Sequence, residues 1–463
     1  MSSGNTNSAT QRIAGLLDEN SFVELSCGVT SRVTDFNQDP KELPGDGVVT
    51  GYGQIGERLV FIYSQDPSVQ SGTIGEMHAK KIREVYDKAM KMRAPVIGFI
   101  DCGGVRLTES FDSTEAIGEI LNASVEAAGV VPQITAVLGQ CGGGMAVLPA
   151  LSDFSFMTKD AKLFINSPDA IRGNHSGKED TSAADFQLEA GNVDFVGSED
   201  EIMDEIRTLV SVLPSAGGEG GFIDECSDDI NRAAEGLDTK REKVADIAAE
   251  LSDDHLFIET KRGFGKGMVT GFISLMGTTV GVIGNEAVED ENILTAYGCA
   301  KAAGFVRFLD AFDIPLLSLT NVSAYRACVC NEQRLPRALA KMVSAISEAD
   351  IPKINLITGK AGGTAYLMMN SKAIGADLTY AFPDAEISVM DPSLAAPIIA
   401  GEGGDVAAVE AEYAASQSGL TNALRRGIVD RVVEFADTRK YLIAGFDMLF
   451  DKDMYVYKKH GTK

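Results

Sequence analysis

Val131-Pro132-Gln133-Ile134-Thr135-Ala136-Val137-Leu138-Gly139-Gln140-Cys141-Gly142-Gly143-Gly144 returns 220 positions later as Ile351-Pro352-Lys353-Ile354-Asn355-Leu356-Ile357-Thr358-Gly359-Lys360-Ala361-Gly362-Gly363-Thr364. The same offset relates Val49-Thr50-Gly51 to Val269-Thr270-Gly271, and Ala94-Pro95-Val96 to Ile314-Pro315-Leu316. Self-similarity at a fixed period marks a duplicated structural unit. Each copy ends an apolar run in a glycine cluster, where bare backbone N–H groups can approach a ligand. Two such clusters imply a site with two anion-stabilising pockets.

The apolar runs 96–100, 134–138, 316–319 and 354–357 are short and do not alternate, as suits strands buried on both faces. Between them the period turns helical. Ile82, Val85, Tyr86, Ala89 and Met90 make one stripe behind a Thr73-Ile74-Gly75-Glu76 capping box, and Phe305, Phe308, Leu309 and Phe312 make its counterpart. Strands alternating with helices predict an α/β fold in each half. The glycine-rich stretch 214–221 reads as a flexible break, followed by a helix through Val244, Ile247, Ala248 and Leu251. The domain boundary is therefore placed within 214–252.

At 463 residues the chain is long for one core, which agrees with two domains. Lys+Arg number 41 against 67 Asp+Glu, and the net charge of -26 would repel a phosphate backbone, which argues against nucleic-acid binding. No apolar run reaches the roughly 18 residues of a membrane span, and the polar N-terminal stretch lacks a secretion-signal core. Seven cysteines without framework spacing point to a reducing cytoplasm. Cys328-Val329-Cys330 has the spacing of a metal pair or a redox pair, but no second pair lies at zinc-site spacing, so these thiols are expected to be shielded from solvent.

Two motifs mislead. Gly51-Tyr52-Gly53-Gln54-Ile55-Gly56 fits the dinucleotide pattern, but a strand-like run, Leu59-Val60-Phe61-Ile62-Tyr63, follows where a helix is required. It reads as a hairpin turn, and NAD is rejected. Ala89-Met90-Lys91-Met92 is the biotin-attachment tetrapeptide, yet it lies within the helical stripe. Lys91 reads as a solvated helix lysine, and self-biotinylation is rejected.

The chemistry rests on the glycines. A thioester enolate places negative charge on the carbonyl oxygen, and two convergent N–H groups in a dry site stabilise it by several kcal/mol. Gly142-Gly143-Gly144 and Met145 are expected to begin a helix whose dipole adds to the effect, with Pro149 limiting its run. Titratable candidates are few. The four histidines, His78, His175, His255 and His460, show no partner spacing, and no nucleophile elbow, metal cluster or P-loop occurs.

Longer motifs carry a resemblance. They are Phe22-Val23-Glu24-Leu25, Gly45-Asp46-Gly47-Val48-Val49-Thr50-Gly51, Glu76-Met77-His78-Ala79-Lys80-Lys81-Ile82, Pro149-Ala150-Leu151-Ser152-Asp153-Phe154, Phe305-Val306-Arg307-Phe308, Ala385-Glu386-Ile387-Ser388-Val389-Met390 and Asp437-Thr438-Arg439. Across nearly its whole length the chain resembles the carboxyltransferase subunits of biotin-dependent acyl-CoA carboxylases and decarboxylases. Propionyl-CoA carboxylase β and methylmalonyl-CoA decarboxylase α subunits are the nearest types.

The resemblance implies two crotonase-like domains in tandem: residues 1–215 on the acyl-CoA side, a linker over 216–252, and residues 253–463 on the biotin side. It implies an acyl-CoA ester as substrate and biotin on a separate carrier protein, with no metal. Biotin carboxylase or membrane decarboxylase subunits would be further partners, and the chain would form a homo-oligomer, a hexamer in this family.

The N–H groups of Gly143 and Gly144 would form one oxyanion hole and those of Thr364 and Ala365 the other, serving the enolate and the biotin ureido oxygen. Deprotonated biotin N1′ and the enolate then exchange CO₂ without a protein base. Gly103, Gly104, Arg106, Gly142, Gly362, Gly363 and Leu367 would line the ligands. Against the family pattern, Val105 stands in a G-G-A-R motif, Thr364 and Leu367 replace a small residue and an aspartate, and residues 321–330 (NVSAYRACVC) replace a proline- and glycine-rich stretch.

Two other readings are weighed. A crotonase-type hydratase or isomerase would need a carboxylate base, for which Glu109 and Glu115 are the nearby candidates. A non-catalytic scaffold in a decarboxylase complex would accommodate Thr364 and the altered 321–330 segment.

Overall fold

The computed structural model describes residues 8–36, 43, 45–174, 179–213, 226, 228–239, 241–289, 291–450 and 452. The glycine-rich break at 214–221, His175 and His460 lie outside them. The chain divides into two compact bodies, residues 1–219 and 220–463.

In the first body, β1 (Val23–Leu25), β2 (Val48–Ile55), β3 (Arg58–Gln65), β4 (Val96–Cys102), β5 (Gln133–Gly142), β6 (Phe154–Thr158), β7 (Lys162–Phe164) and β8 (Phe195–Gly197) form one sheet. Its order is β1-β2-β3-β4-β5-β6-β8, with β7 beside the far end of β5. From β3 onward every pairing is parallel, as expected for strands buried on both faces.

The second body comprises β9 (Ile258–Thr260), β10 (Met268–Leu275), β11 (Thr278–Asn285), β12 (Ile293–Leu294), β13 (Leu316–Val322), β14 (Ala324–Tyr325), β15 (Lys353–Gly362), β16 (Leu378–Ala381), β17 (Glu386–Ser388) and β18 (Arg431–Val432). Its main sheet runs β18-β16-β15-β13-β11-β10-β9, with β17 beside β15 and a separate β12–β14 pair. The strand order of the first sheet returns, and β10, β11, β13 and β15 repeat β2 to β5 at a shift of 220 positions, while the flanking strands repeat at other spacings.

The helix Glu76–Met92 buries Ile82, Val85, Tyr86 and Ala89, as its stripe predicts, and leaves Lys91 exposed. The helix Ala296–Ala311 does the same with Phe305, Phe308 and Leu309. The glycine motif at 51–56 is the β2–β3 hairpin, whose Gly56 and Glu57 both have positive φ (55 and 66°), the geometry of a tight hairpin turn. The helix Val244–Leu251, assigned to the linker from sequence, packs through Val244, Ile247, Ala248 and Leu251 into the second core. That body therefore begins ahead of residue 253.

Lys353 occupies the position of Gln133 in the repeat. Gln133 satisfies its buried amide on Ser124. Lys353 instead donates its ammonium to the carbonyls of Ile346 and Ala349 at 2.7 and 2.8 Å. Burial, followed by the charge of Lys452, lowers its pKa from 10.5 to about 8. The folded state thus holds this proton less firmly than the unfolded chain, so its contribution to stability rises with pH between about 8 and 10.5. Lys353→Gln is expected to be relatively more stable below that window, with the difference from wild type closing across it. Thermal midpoints of the two proteins measured across this range check the sign, and a constant difference would contradict it.

Candidate functional site

Each body carries its own glycine turn, at the tip of β5 in the first and of β15 in the second. Both adjoining ladders slip register at equivalent places, between Ile100 and Cys102 and between Thr320 and Val322. The gap is bridged by a side chain in each case. Asp101 Oδ1 accepts from the Gln140 N–H at 3.2 Å, and Asn321 Oδ1 accepts from the Lys360 N–H at 2.9 Å. Gly139 and Gly359 are required there, because a Cβ would run into Asp101 and Asn321 respectively. Arg12 supports Asp101 with a 3.1 Å ion pair. These props were missed from sequence, although Asp101 and Asn321 stand at the repeat offset.

Beyond the tips, Gly143 and Gly363 both turn the chain with positive φ, +64 and +53°. The first turn continues as a 3-10 segment, Gly143–Val147, and a single helical turn, Leu148–Leu151. The expected helix is therefore shorter than its dipole argument assumed. The second turn opens the helix Gly363–Met368. The N–H groups of Gly143, Gly144, Thr364 and Ala365 have no acceptor among the described residues, as is usual for the first donors of a helix.

Gly143, Gly144 and Thr364 are exposed, while Ala365 is buried. Gly363, Thr364 and Leu367 line a cavity of about 500 Å³ with Ile387, Val389, Lys372 and Arg426, of which Lys372 is paired with Asp430 at 2.5 Å. Ala365 is absent from that lining. Tyr366, unremarked in the sequence, also lines it. Its hydroxyl is buried with no partner among the described residues, and burial pushes its pKa up to about 12.

Other expected ligand residues are engaged inside the protein. The Gly103 N–H donates to Ser71 O at 2.9 Å, and the Gly104 N–H to Cys102 Sγ at 3.2 Å. The Arg106 side chain is 2 % exposed and is bound by Asp46, by Glu109 at 2.9 Å and by the Thr73 carbonyl at 2.7 Å. These three residues hold the loop after β4 and do not present donors to a ligand.

The capping box is also corrected. Gly75 is the N-cap of Glu76–Met92, and the buried Glu109 carboxylate accepts the Glu76 N–H at 2.7 Å. A capping carboxylate from a distant loop replaces the local Thr73 hydroxyl, which bonds Gln70 O instead. Glu109 thus has its oxygens committed, and Glu115 lies exposed on the following helix, Phe111–Ala127. His78 sits between Gln65 and the Asp46 carbonyl, and burial lowers its pKa to about 3, so it stays neutral. Among the described residues no three His, Cys, Asp or Glu side chains converge as a metal site. No helix among them is long and apolar enough to cross a membrane.

Paired α/β bodies, each ending its central parallel strand in a left-handed glycine turn, define a tandem crotonase-like carboxyltransferase fold. Transcarboxylase 12S, solved with methylmalonyl-coenzyme A and methylmalonic acid bound, matches with a TM-score of 0.92 and 35% identity over 98% of this chain and 92% of that one. The carboxyl transferase domain family matches residues 3–462, and the chain belongs to it. It is 38% identical to the propionyl-CoA carboxylase beta chain of Roseobacter denitrificans, over 98% of this chain and 93% of that protein. It is equally, 38%, identical to methylmalonyl-CoA decarboxylase subunit alpha of Propionigenium modestum, over 98% and 92%.

Proposed function

We propose that this carboxyltransferase moves a carboxyl group between biotin, borne on a separate carrier protein, and an acyl-CoA ester of the propionyl or methylmalonyl type. The observation that supports it best is the pair of equivalent glycine turns whose N–H groups have no acceptor among the described residues. The N–H groups of Gly143 and Gly144 stabilise the oxygen of the thioester enolate, and the Thr364 N–H a second developing oxyanion. Such donors act most strongly where water is excluded. The cavity beside Thr364, lined by Ile387 and Val389 and by Lys372 and Arg426, suits a group with an uncharged body and a polar head. Biotin brought there would supply the ureido nitrogen that accepts or releases the carboxyl group. Gly103, Gly104 and Arg106 act as positioning residues that hold the loop after β4.

The hydratase reading loses its best base, since Glu109 is held by Arg106 and by the helix it caps. A second copy of the chain is the partner that fits the exposed Val389, Leu394, Ile398 and Ile399, an apolar patch of the kind that marks an interface. Transcarboxylase 12S is described as a hexamer.

Purified protein given methylmalonyl-CoA, malonyl-CoA or glutaconyl-CoA, with free biotin and then with a biotinylated carrier, tests the reading. Absence of CO₂ transfer in every combination would defeat it. Within it, Tyr366→Phe is expected to leave stability within about 1 kcal/mol, because no bond is lost. Transfer should fall about tenfold, the worth of one hydrogen bond to a bound ligand. Unchanged turnover would remove Tyr366 from the site.

A further inference from the structure

The two halves keep the same backbone around Arg106 and Arg326, which are 220 positions apart. The Arg106 N–H donates to Ile74 O at 3.2 Å, and the Arg326 N–H to Leu294 O at 2.9 Å. Around that shared frame the side chains have diverged. Asp46 and Glu109, which clamp Arg106, correspond to Lys266 and Val329. Asn331 takes over the cap, accepting the Ala296 N–H at 2.7 Å. Where the first half has a buried ion-pair cluster, the second has a cavity of about 300 Å³. It is lined by Lys266, Arg326, Arg334, Cys328 and Cys330 and, among the described residues, by no carboxylate.

The two sulfurs lie 3.0 Å apart. Cys330 is exposed and Cys328 half-buried, which corrects the expectation of shielded thiols. A disulfide needs about 2 Å, so a small movement would join them.

We propose that Cys328 and Cys330 form a thiol–disulfide exchange site for small anionic disulfides. The Cys328 thiolate attacks one sulfur of the incoming disulfide R–S–S–R, giving a mixed disulfide and releasing RS⁻. The Cys330 thiolate then attacks the Cys328 sulfur, closing the Cys328–Cys330 bond and releasing the second RS⁻. Two protein thiols are oxidised, one small disulfide is reduced to two thiols, and the thiol protons pass to solvent. Excess thiol runs the sequence backwards. Cys328 is the better first nucleophile: the Cys330 thiol, the Asn331 N–H and Arg326 lower its pKa. Lys266, Arg326 and Arg334 attract the anionic reagent, although Arg326 also bonds the exposed Glu289 at 2.8 Å. The loop touches the second glycine turn, since the Tyr325 hydroxyl donates to Thr364 Oγ1 at 3.2 Å. Closing the disulfide should therefore slow carboxyl transfer, a consequence that rests on the proposed role of Thr364.

Trypsin releases both thiols in one peptide, residues 327–334 (ACVCNEQR), with no other cysteine. The folded full chain is treated with glutathione disulfide, quenched by alkylation and read by mass. The peptide should lose two hydrogens about tenfold faster than the exposed Cys27 and Cys226 acquire glutathione. Cys330→Ser should stop at a glutathione adduct on Cys328. Lys266→Gln or added salt should slow glutathione disulfide but not uncharged hydroxyethyl disulfide. Oxidation no faster than at Cys27 overturns the site, and equal salt response of the two reagents overturns its preference for anions. If the peptide oxidises and transfer is unchanged, the coupling through Tyr325 fails while the exchange site stands. If the reduced protein transfers no carboxyl group, the proposed function alone fails.

Discussion

Gly143→Val is expected to lower the turnover of carboxyl transfer by about 10²–10³-fold, the loss seen when one oxyanion donor is removed. Gly143 has φ +64° with open space around the position of a Cβ, so the added Cβ meets no clash. Valine does meet backbone strain of about 1–2 kcal/mol, which the exposed turn can relieve by rotating its peptide planes. That rotation turns the Gly144 N–H away. Gly129, also exposed and at φ +71°, supplies the control, because it lies in the loop after the helix Phe111–Ala127. Gly129→Val should cost similar stability and leave turnover intact. Equal turnover in the two variants would sink the assignment. Gly363→Val should be more severe in stability, since its Cβ would lie 3.0 Å from Val389 O.

Arg106→Met carries the second large effect, in stability. Removing the guanidinium leaves the buried Asp46 and Glu109 carboxylates without their cation, a loss of about 3–5 kcal/mol. Its repeat counterpart is an internal control. Among the described residues Arg326 has one ion pair, with Glu289, whose side chain is 76 % exposed, and Arg326→Met should change stability by less than about 1 kcal/mol. Denaturant unfolding followed separately for each body distinguishes the two, and equal losses would contradict the argument. Replacing Asp46 and Glu109 by Asn and Gln together with Arg106→Met should recover part of the loss, because the uncompensated charges are then gone.

Much of the architecture was legible in the residues. The offset announced the duplicated bodies, and the unalternating apolar runs announced their parallel strands. The hairpin at Gly56 followed from what comes after it. Backbone features of this kind read well because they depend on local chain chemistry repeated over many residues.

The choice of partners did not read so well. Glu109 looked like a solvated carboxylate or a base and is the cap of a helix 33 positions earlier. Arg106 and Gly103 looked like ligand residues and hold a loop. Ala365 is buried and absent from the cavity wall, and the thiols at 328 and 330 are half-buried and exposed. Identity, order and spacing of residues were enough for the twofold α/β plan and for the placing of both glycine turns. Which side chains are sealed inside and which donors stay free was settled by three-dimensional packing, because burial and ion pairing depend on segments far apart in the chain that only the folded sheets bring together.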